Sequence, residues 1–239
     1  MNLIDMHCHI LPDVDDGAES MDAALALLQE EKRQGVTACI LTPHFRRRMF
    51  ETPLEVLQDR FQELTRCAEG MGVELYLGCE YHAHMDMAER LQEGFRPTMC
   101  QSRYVLTEFS EDTPEREIRD RVRELRQTGY IPIIAHLERY EAMFGDFDFI
   151  EDLSDGGCKM QINADSIAGK DGFFLKRFCK KMVQYELLDF VGSDAHDLGS
   201  RAPHMQECYR NLCRWASEDY ADKIMYHNPL KIIQAGKNQ

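Results

Sequence analysis

The chain has 239 residues and a formal net charge of −14; one undivided α/β domain fills that length, and the acidity argues against nucleic acid or an anionic membrane as partner. Its nine cysteines are scattered without a Cys-x-x-Cys pair, so reduced thiols are expected rather than a disulfide framework. No basic and then apolar leader opens the sequence, and no apolar run reaches the roughly 20 residues of a membrane helix, so a cytoplasmic protein without membrane insertion is expected.

Leu3 to Met6 reads as a short apolar strand that runs into His7-Cys8-His9. Residues two apart on an extended backbone point to one side, so both imidazoles can aim at one point. The turn behind them carries Asp13, Asp15, Asp16 and Gly17; Asp13 and Asp15 read as turn formers. A helix capped by Ser20 is expected to stop at Gly35, and residues 37–42 form a buried strand ending at Pro43-His44. Thr52-Pro53-Leu54-Glu55 predicts a capping box with Pro at the first helical position, on a helix reaching Gly70.

Strand patterns follow at residues 73–78, ending at Cys79-Glu80, and at 104–107, ending at Glu108. A helix from Thr113-Pro114 to Gly129 leads to a strand over 131–135 that ends at His136. Residues 159–162 form a further strand ending at Asn163, which reads as a support behind a ligand or a structural residue rather than a ligand itself. A helix over 173–185 precedes a strand over 188–192, ending at Ser193-Asp194-Ala195-His196, and Asn228-Pro229 caps a last short helix.

Strands alternating with helices predict a parallel sheet with helices outside it, in a single domain over 1–239. Ligand-type side chains stand at the carboxyl ends of six of the seven strands, the face where barrels of βα units do chemistry. Mixed imidazole and carboxylate ligation suits zinc, iron or manganese, and the ligands are too many for one ion. Two or three divalent ions bridged by a carboxylate would activate water and clamp phosphoryl oxygens. Metal-assisted phosphoester hydrolysis is the expected chemistry.

The ordered set His7-x-His9, Asp16, Pro43-His44, Glu80, Glu108, His136 and Asp194-Ala195-His196 resembles the PHP (polymerase and histidinol phosphatase) superfamily. That resemblance implies a distorted seven-stranded (β/α)7 TIM-like barrel around a trinuclear metal site. The run from His7 to Gly17, Met49-Phe50-Glu51-Thr52-Pro53, Ser102-Arg103-Tyr104, Ile134 to Tyr140, and Arg201-Ala202-Pro203-His204-Met205 resemble the bacterial PHP-type protein-tyrosine phosphatases of capsule and exopolysaccharide clusters. The resemblance implies a first metal on His7, His9, Glu80 and Asp194, a second on Glu80, Glu108 and His136, and a third on Asp16, His44 and His196. Manganese is the expected ion, with iron, zinc or cobalt as alternatives. Arg139 and Arg201 fall where that family binds phosphate, which suits guanidinium geometry. The implied nucleophile is a metal-activated hydroxide, with His44 or His196 assisting proton transfer. The implied substrate is phosphotyrosine on the C-terminal tail of a bacterial tyrosine kinase controlling polysaccharide export. A small phosphomonoester such as histidinol phosphate is the alternative.

Several residues read as bystanders. Cys8 is expected to point away from the metals as a small buried filler. His82-Ala83-His84, a second His-x-His, is expected on the surface at a helix start, with His204 and His227 as surface or cap residues. Phe45, Phe50 and Tyr140 read as packing, though they could flank a tyrosyl ring, and Arg46-Arg47-Arg48 reads equally as a solvated basic turn or, from its place directly after His44, as a substrate contact. Cys208 to Arg214 has the Cys-x5-Arg spacing of thiolate phosphatases, but it lacks glycine, follows no strand and carries a helical pattern.

Overall fold

In the computed structural model, residues 2–237 are described. The strands are β1 (Leu3–Cys8), β2 (Val36–Leu41), β3 (His44–Phe45), β4 (Glu74–Leu77), β5 (Glu80–His82), β6 (Tyr104–Glu108), β7 (Ile131–Ile134), β8 (Lys159–Asn163) and β9 (Phe190–Gly192). The helices are α1 (Met21–Arg33), α2 (Leu54–Cys67), α3 (Met87–Gln92), α4 (Glu115–Gln127), α5 (Phe147–Asp155), α6 (Ala164–Ala168), α7 (Phe173–Gln184), α8 (Met205–Trp215), α9 (Glu218–Asp222) and α10 (Asn228–Lys237). All strand pairs are parallel, in the orders β1-β2-β4 and β3-β5-β6-β7-β8-β9. This is an α/β fold in which crossover helices cover the sheets.

Two of the seven expected strands are split, which gives nine segments. At Thr42-Pro43 the ladder is interrupted: Thr42 N–H donates across to Cys8 O at 2.9 Å, and proline has no N–H to offer. Beyond the gaps Gly78 N–H reaches Leu41 O at 2.8 Å and Glu80 N–H reaches Pro43 O at 3.1 Å, so each pair of segments follows one course. The last strand returns to the first. Asp194 N–H donates to His7 O at 2.8 Å, and His9 N–H to Ala195 O at 2.9 Å, with a parallel bridge between Cys8 and Ala195.

An inner cluster gathers Ile4, Met6, Ile40, Leu106, Ile133 and Phe190 from five strands, closed by Ile232 and Ile233 of α10. A larger cluster lies between strands and helices, with Leu27 and Leu28 of α1, Ile118 and Val122 of α4, and Phe178 and Met182 of α7. Such spacing puts one apolar stripe of each helix against the sheet. A register irregularity between Asp5 and Cys8 lets Met6 join the inner cluster while His7 and His9 still reach the mouth above it.

Local signals hold unevenly. Ser20 caps α1 by accepting from Ala23 N–H at 3.2 Å, and Gly35 takes φ 94° beyond its end. The expected capping box does not form: Pro53 occupies the cap position of α2 without a side-chain bond, because Thr52 Oγ1 donates to Val14 O at 2.7 Å instead. Asn228 does not cap α10 either. The chain enters α10 directly from a π-helical turn over Lys223–His227, and the Asn228 amide donates to Asp189 O at 3.0 Å. His82 belongs to β5, not to a helix start, and both His82 and His84 are half-buried. Cys208 lies buried on α8, so no phosphate cradle surrounds it. Among the described residues, no helix is long and apolar enough to cross a membrane.

Candidate metal centre

The strand ends bring all nine predicted ligands to one mouth. His7 Nε2 and His9 Nε2 stand 3.2 Å apart, and Glu80 Oε2 lies 3.3 and 3.2 Å from them. Asp194 Oδ1 is 3.6 Å from His7 Nε2 and 3.5 Å from His9 Nε2. On the next strands, His136 Nε2 is 2.7 Å from Glu80 Oε1 and 3.9 Å from Glu108 Oε1. His44 Nδ1 lies 3.0 Å from Glu80 Oε2 and 4.0 Å from Glu108 Oε2. Asp16 Oδ1 stands 3.5 Å from His44 Nε2 and 3.6 Å from His196 Nε2. His9 joins Asp16, His44 and His196 in one group, so it faces two sites at once.

Hydrogen bonds behind the histidines fix which nitrogen is bare. The oxygen of the Gln161 amide accepts the His136 backbone N–H at 2.8 Å, so its contact with His7 Nδ1 at 3.1 Å is also acceptance, from an imidazole N–H. His9 Nδ1 donates to Asp15 Oδ2 at 2.9 Å, and His196 Nδ1 to the Asp194 carbonyl at 2.9 Å. In each ring Nε2 is left with its lone pair, the form a metal needs. Two bare nitrogens 3.2 Å apart repel unless a cation or a shared proton lies between them. Glu80 Oε2, Glu108 Oε2, His44 Nδ1 and His196 Nε2 are buried without a hydrogen-bond partner, a costly state for polar atoms that no cation serves. The residues therefore fit divalent ions.

Electrostatics agree. Burial opposes the charge on His7, but Glu80 and Asp194 raise its pKa to about 9. His44 is likewise lifted to about 10 by Glu80 against burial. Burial and the neighbouring Glu80 push Glu108 up to about 7, while burial of Glu80 is outweighed by His7 and His44, which hold it well below the usual carboxylate range. His136 (φ 32°) and Asp194 (φ 54°) also take left-handed backbone, strain of the kind that collects at functional sites.

Arg139 Nη1 pairs electrostatically with Asp194 Oδ2 at 3.1 Å, and Arg201 Nη2 donates to Asp194 Oδ1 at 2.9 Å, both guanidiniums about one-third exposed. Phe45 and Tyr140 are each 1 % exposed; Tyr140 Oη accepts from Phe109 N–H at 3.1 Å and stands 3.3 Å from His136 Nδ1. Cys8 points away, its thiol toward Ile40 O. His82 meets Ser110 Oγ at 3.3 Å, His84 pairs with Asp86, and His204 pairs with Asp165 at 2.6 Å; none reaches the centre.

Of the supporting residues, sequence reasoning pointed to Asn163 alone; it took Asp15 for a turn former and passed over Gln161 and Asp5. Asp15 shapes its turn through Gly17 N–H at 3.0 Å but also holds His9 and the His44 backbone N–H at 2.9 Å. Gln161 donates to Asn163 Oδ1 at 2.9 Å, and Asn163 Nδ2 donates to Asp194 Oδ2 at 2.8 Å. Asp5 accepts from Ser193 N–H at 2.8 Å, Ser193 Oγ at 2.6 Å and His7 N–H at 3.3 Å. Asp5 also clusters with Cys8 and Cys39, but its oxygens are already taken and burial keeps the Cys8 thiol protonated. The available signal was a glutamine and an aspartate inside otherwise apolar strands.

The family model described as "Capsular polysaccharide synthesis, CpsB/CapC" matches residues 3–234. The chain belongs to the CpsB/CapC family. It is 36 % identical over 238 residues to the tyrosine-protein phosphatase CpsB of Streptococcus pneumoniae, covering 97 % of this chain and 98 % of that one. With the tyrosine-protein phosphatase YwqE of Bacillus subtilis (strain 168) it shares 30 % identity, over 86 % of this chain and 82 % of the relative. A crystal structure from the work on YwqE and CpsB, described as unique metal-dependent tyrosine phosphatases, superposes with a TM-score of 0.92 at 28 % identity, covering 98 % and 95 % of the two chains. A phosphotriesterase from Mycobacterium tuberculosis, at 12 % identity and a TM-score of 0.62 over 98 % and 94 %, shares the fold of this CpsB/CapC member.

Proposed function

We infer that the chain is a metal-dependent protein-tyrosine phosphatase, a single catalytic domain built on a distorted seven-stranded (β/α)7 barrel. The observation that carries this reading is the convergence of bare imidazole nitrogens and orphaned carboxylate oxygens at one mouth, in a chain related over nearly its full length to tyrosine-protein phosphatases. Two or three divalent ions, manganese first among them, would be held by His7, His9, Glu80 and Asp194, by Glu80, Glu108 and His136, and by Asp16, His44 and His196. When bound, such ions supply Lewis acidity that activates water and offsets phosphoryl charge.

The chain's own residues do the rest. Arg139 and Arg201 rest on Asp194 and have solvent-facing guanidiniums, so they can turn to phosphoryl oxygens and hold them in a bidentate grip. Asp15, Gln161 and the Asp194 carbonyl keep three imidazoles in the tautomer that leaves Nε2 free. His44 and His196 flank Asp16, whose carboxylate is 48 % exposed, and this reading puts proton delivery to the leaving phenolate there. The family's role in capsular polysaccharide synthesis supports a phosphotyrosine substrate on the C-terminal tail of a bacterial tyrosine kinase. Nine cysteines without a disulfide suit a cytoplasmic setting.

The test is phosphate release from a phosphotyrosyl peptide and from histidinol phosphate, using metal-stripped protein with and without Mn²⁺. Manganese-dependent turnover that favours the peptide is expected. His136→Ala should cost more than the roughly 10–100-fold typical of losing an outer partner of a metal ligand. Preference for histidinol phosphate would refute the substrate, and turnover surviving chelation would refute the metal centre.

A further inference from the structure

We propose that the hairpin from Arg46 to Phe50 selects the phosphotyrosyl side chain, with Phe50 as the wall against its ring and Arg46 as an added cation toward its phosphate. This rests on the phosphatase reading and assigns the residues that would recognise an aromatic ester.

The hairpin is a built element. Arg46 N–H donates to Phe50 O at 3.0 Å and Phe50 N–H returns to Arg46 O at 2.8 Å, while Arg48 turns the chain with φ 64°. Its outgoing end is tied down at Thr52: Thr52 Oγ1 donates to Val14 O, and the buried Arg96 donates to Thr52 O at 2.9 Å.

Alternation along β3 sets the directions. Phe45 packs inward against Tyr81 and Phe95, with centroids 4.8 and 5.2 Å away, so His44 and Arg46 project to the opposite side, over the metal centre. The β3–β5 register pairs His44 with Glu80 and Phe45 with Tyr81; one step further, Arg46 stands beside His82, which pairs with Glu108. Arg46 is half-buried, yet among the described residues its guanidinium has neither an ion pair nor a hydrogen bond. Its neighbours differ: Arg47 is committed to Asp86, and Arg139 and Arg201 to Asp194. A half-buried guanidinium without a carboxylate, beside so acidic a centre, is available to a ligand's oxyanion.

Phe50 lies nearly parallel to the His44 imidazole, with centroids 5.1 Å apart and planes 11° apart, and it keeps part of its surface open. A phosphoryl group held at the centre therefore leaves its ester ring beside Phe50. Phe45 and Tyr140 are too deeply buried to serve.

The experiment measures inhibition of phosphotyrosyl-peptide turnover by phenylphosphonate and by inorganic phosphate, using the full chain loaded with Mn²⁺. The parent should bind phenylphosphonate more tightly than phosphate. Phe50→Leu, which keeps apolar bulk against His44, should weaken phenylphosphonate about tenfold, the scale of one aromatic contact, and phosphate less than about twofold. Phe50→Tyr should restore the difference, and Arg46→Gln should weaken both inhibitors. Equal binding of the two anions by the parent, or equal weakening by Phe50→Leu, would overturn the proposal. A parent that hydrolyses no phosphotyrosyl peptide would overturn the phosphatase reading and this proposal with it.

Discussion

Gln161 shows how one side chain can orient several candidate ligands. Its oxygen serves His7 and the backbone of His136, and its nitrogen holds Asn163, which holds Asp194. Outer partners of this kind set ring orientation and ligand basicity. Gln161→Met keeps comparable bulk but removes every one of these bonds, so metal affinity should fall about 10–100-fold while circular dichroism stays that of the parent. Competition against a chromogenic chelator measures it; unchanged affinity would reduce Gln161 to packing.

At the scale of elements, the contact between β1 and β9 joins the first and last strands that carry candidate ligands. Gly192 makes that contact possible. A Cβ there would fall 2.4 Å from His7 Cβ and 3.2 Å from its backbone, and no flexible chain end could yield. Gly192→Ala should therefore cost about 1–3 kcal/mol, as overpacking does, and should also lower metal content, since His7 and Asp194 lie on the two strands forced apart. Gly78→Ala is the control: its nearest neighbour is the Met99 sulfur at 2.8 Å, a flexible side chain, and the loss should be smaller. Chemical denaturation with elemental analysis of both variants checks this.

Across the whole molecule, an acidic chain concentrates Asp16, Glu80, Glu108 and Asp194 at one mouth, and cations are what let them coexist. Without metal, His7 and His44 titrate at about 9 and 10, above the ordinary imidazole value. Their protonated forms stabilise the metal-free fold fully below about pH 6.5, and that contribution is lost as pH rises through 9 to 10. Metals must displace those protons, and at lower pH the Glu108 proton as well, since that group titrates at about 7. Adding Mn²⁺ to stripped protein at pH 7 should therefore release protons, and the rise in Tm should be larger at pH 8.5 than at 6.5. At one hundred times Kd the expected gain is roughly 5–10 °C. Scanning calorimetry across pH measures it, and a gain that shrinks with rising pH would contradict the ligand set.

The sequence by itself determined the alternation of strands and helices and the side chains at the strand ends, because burial periodicity and residue type are local properties. The nine side chains it pointed to lie together at one mouth, both arginines rest on Asp194, and Cys8 and Cys208 lie buried away from it. The tertiary structure decided what no local pattern encodes. Thr52 left its helix for Val14, because a carbonyl distant in sequence was the better acceptor there. His82 continued a strand because β6 lay beside it. Asp15, Gln161 and Asp5 became supports of the centre through partners up to 188 residues away. Which side chains are candidate ligands follows from chemistry written in the chain; how they are oriented depends on hydrogen bonds that exist only once distant segments meet.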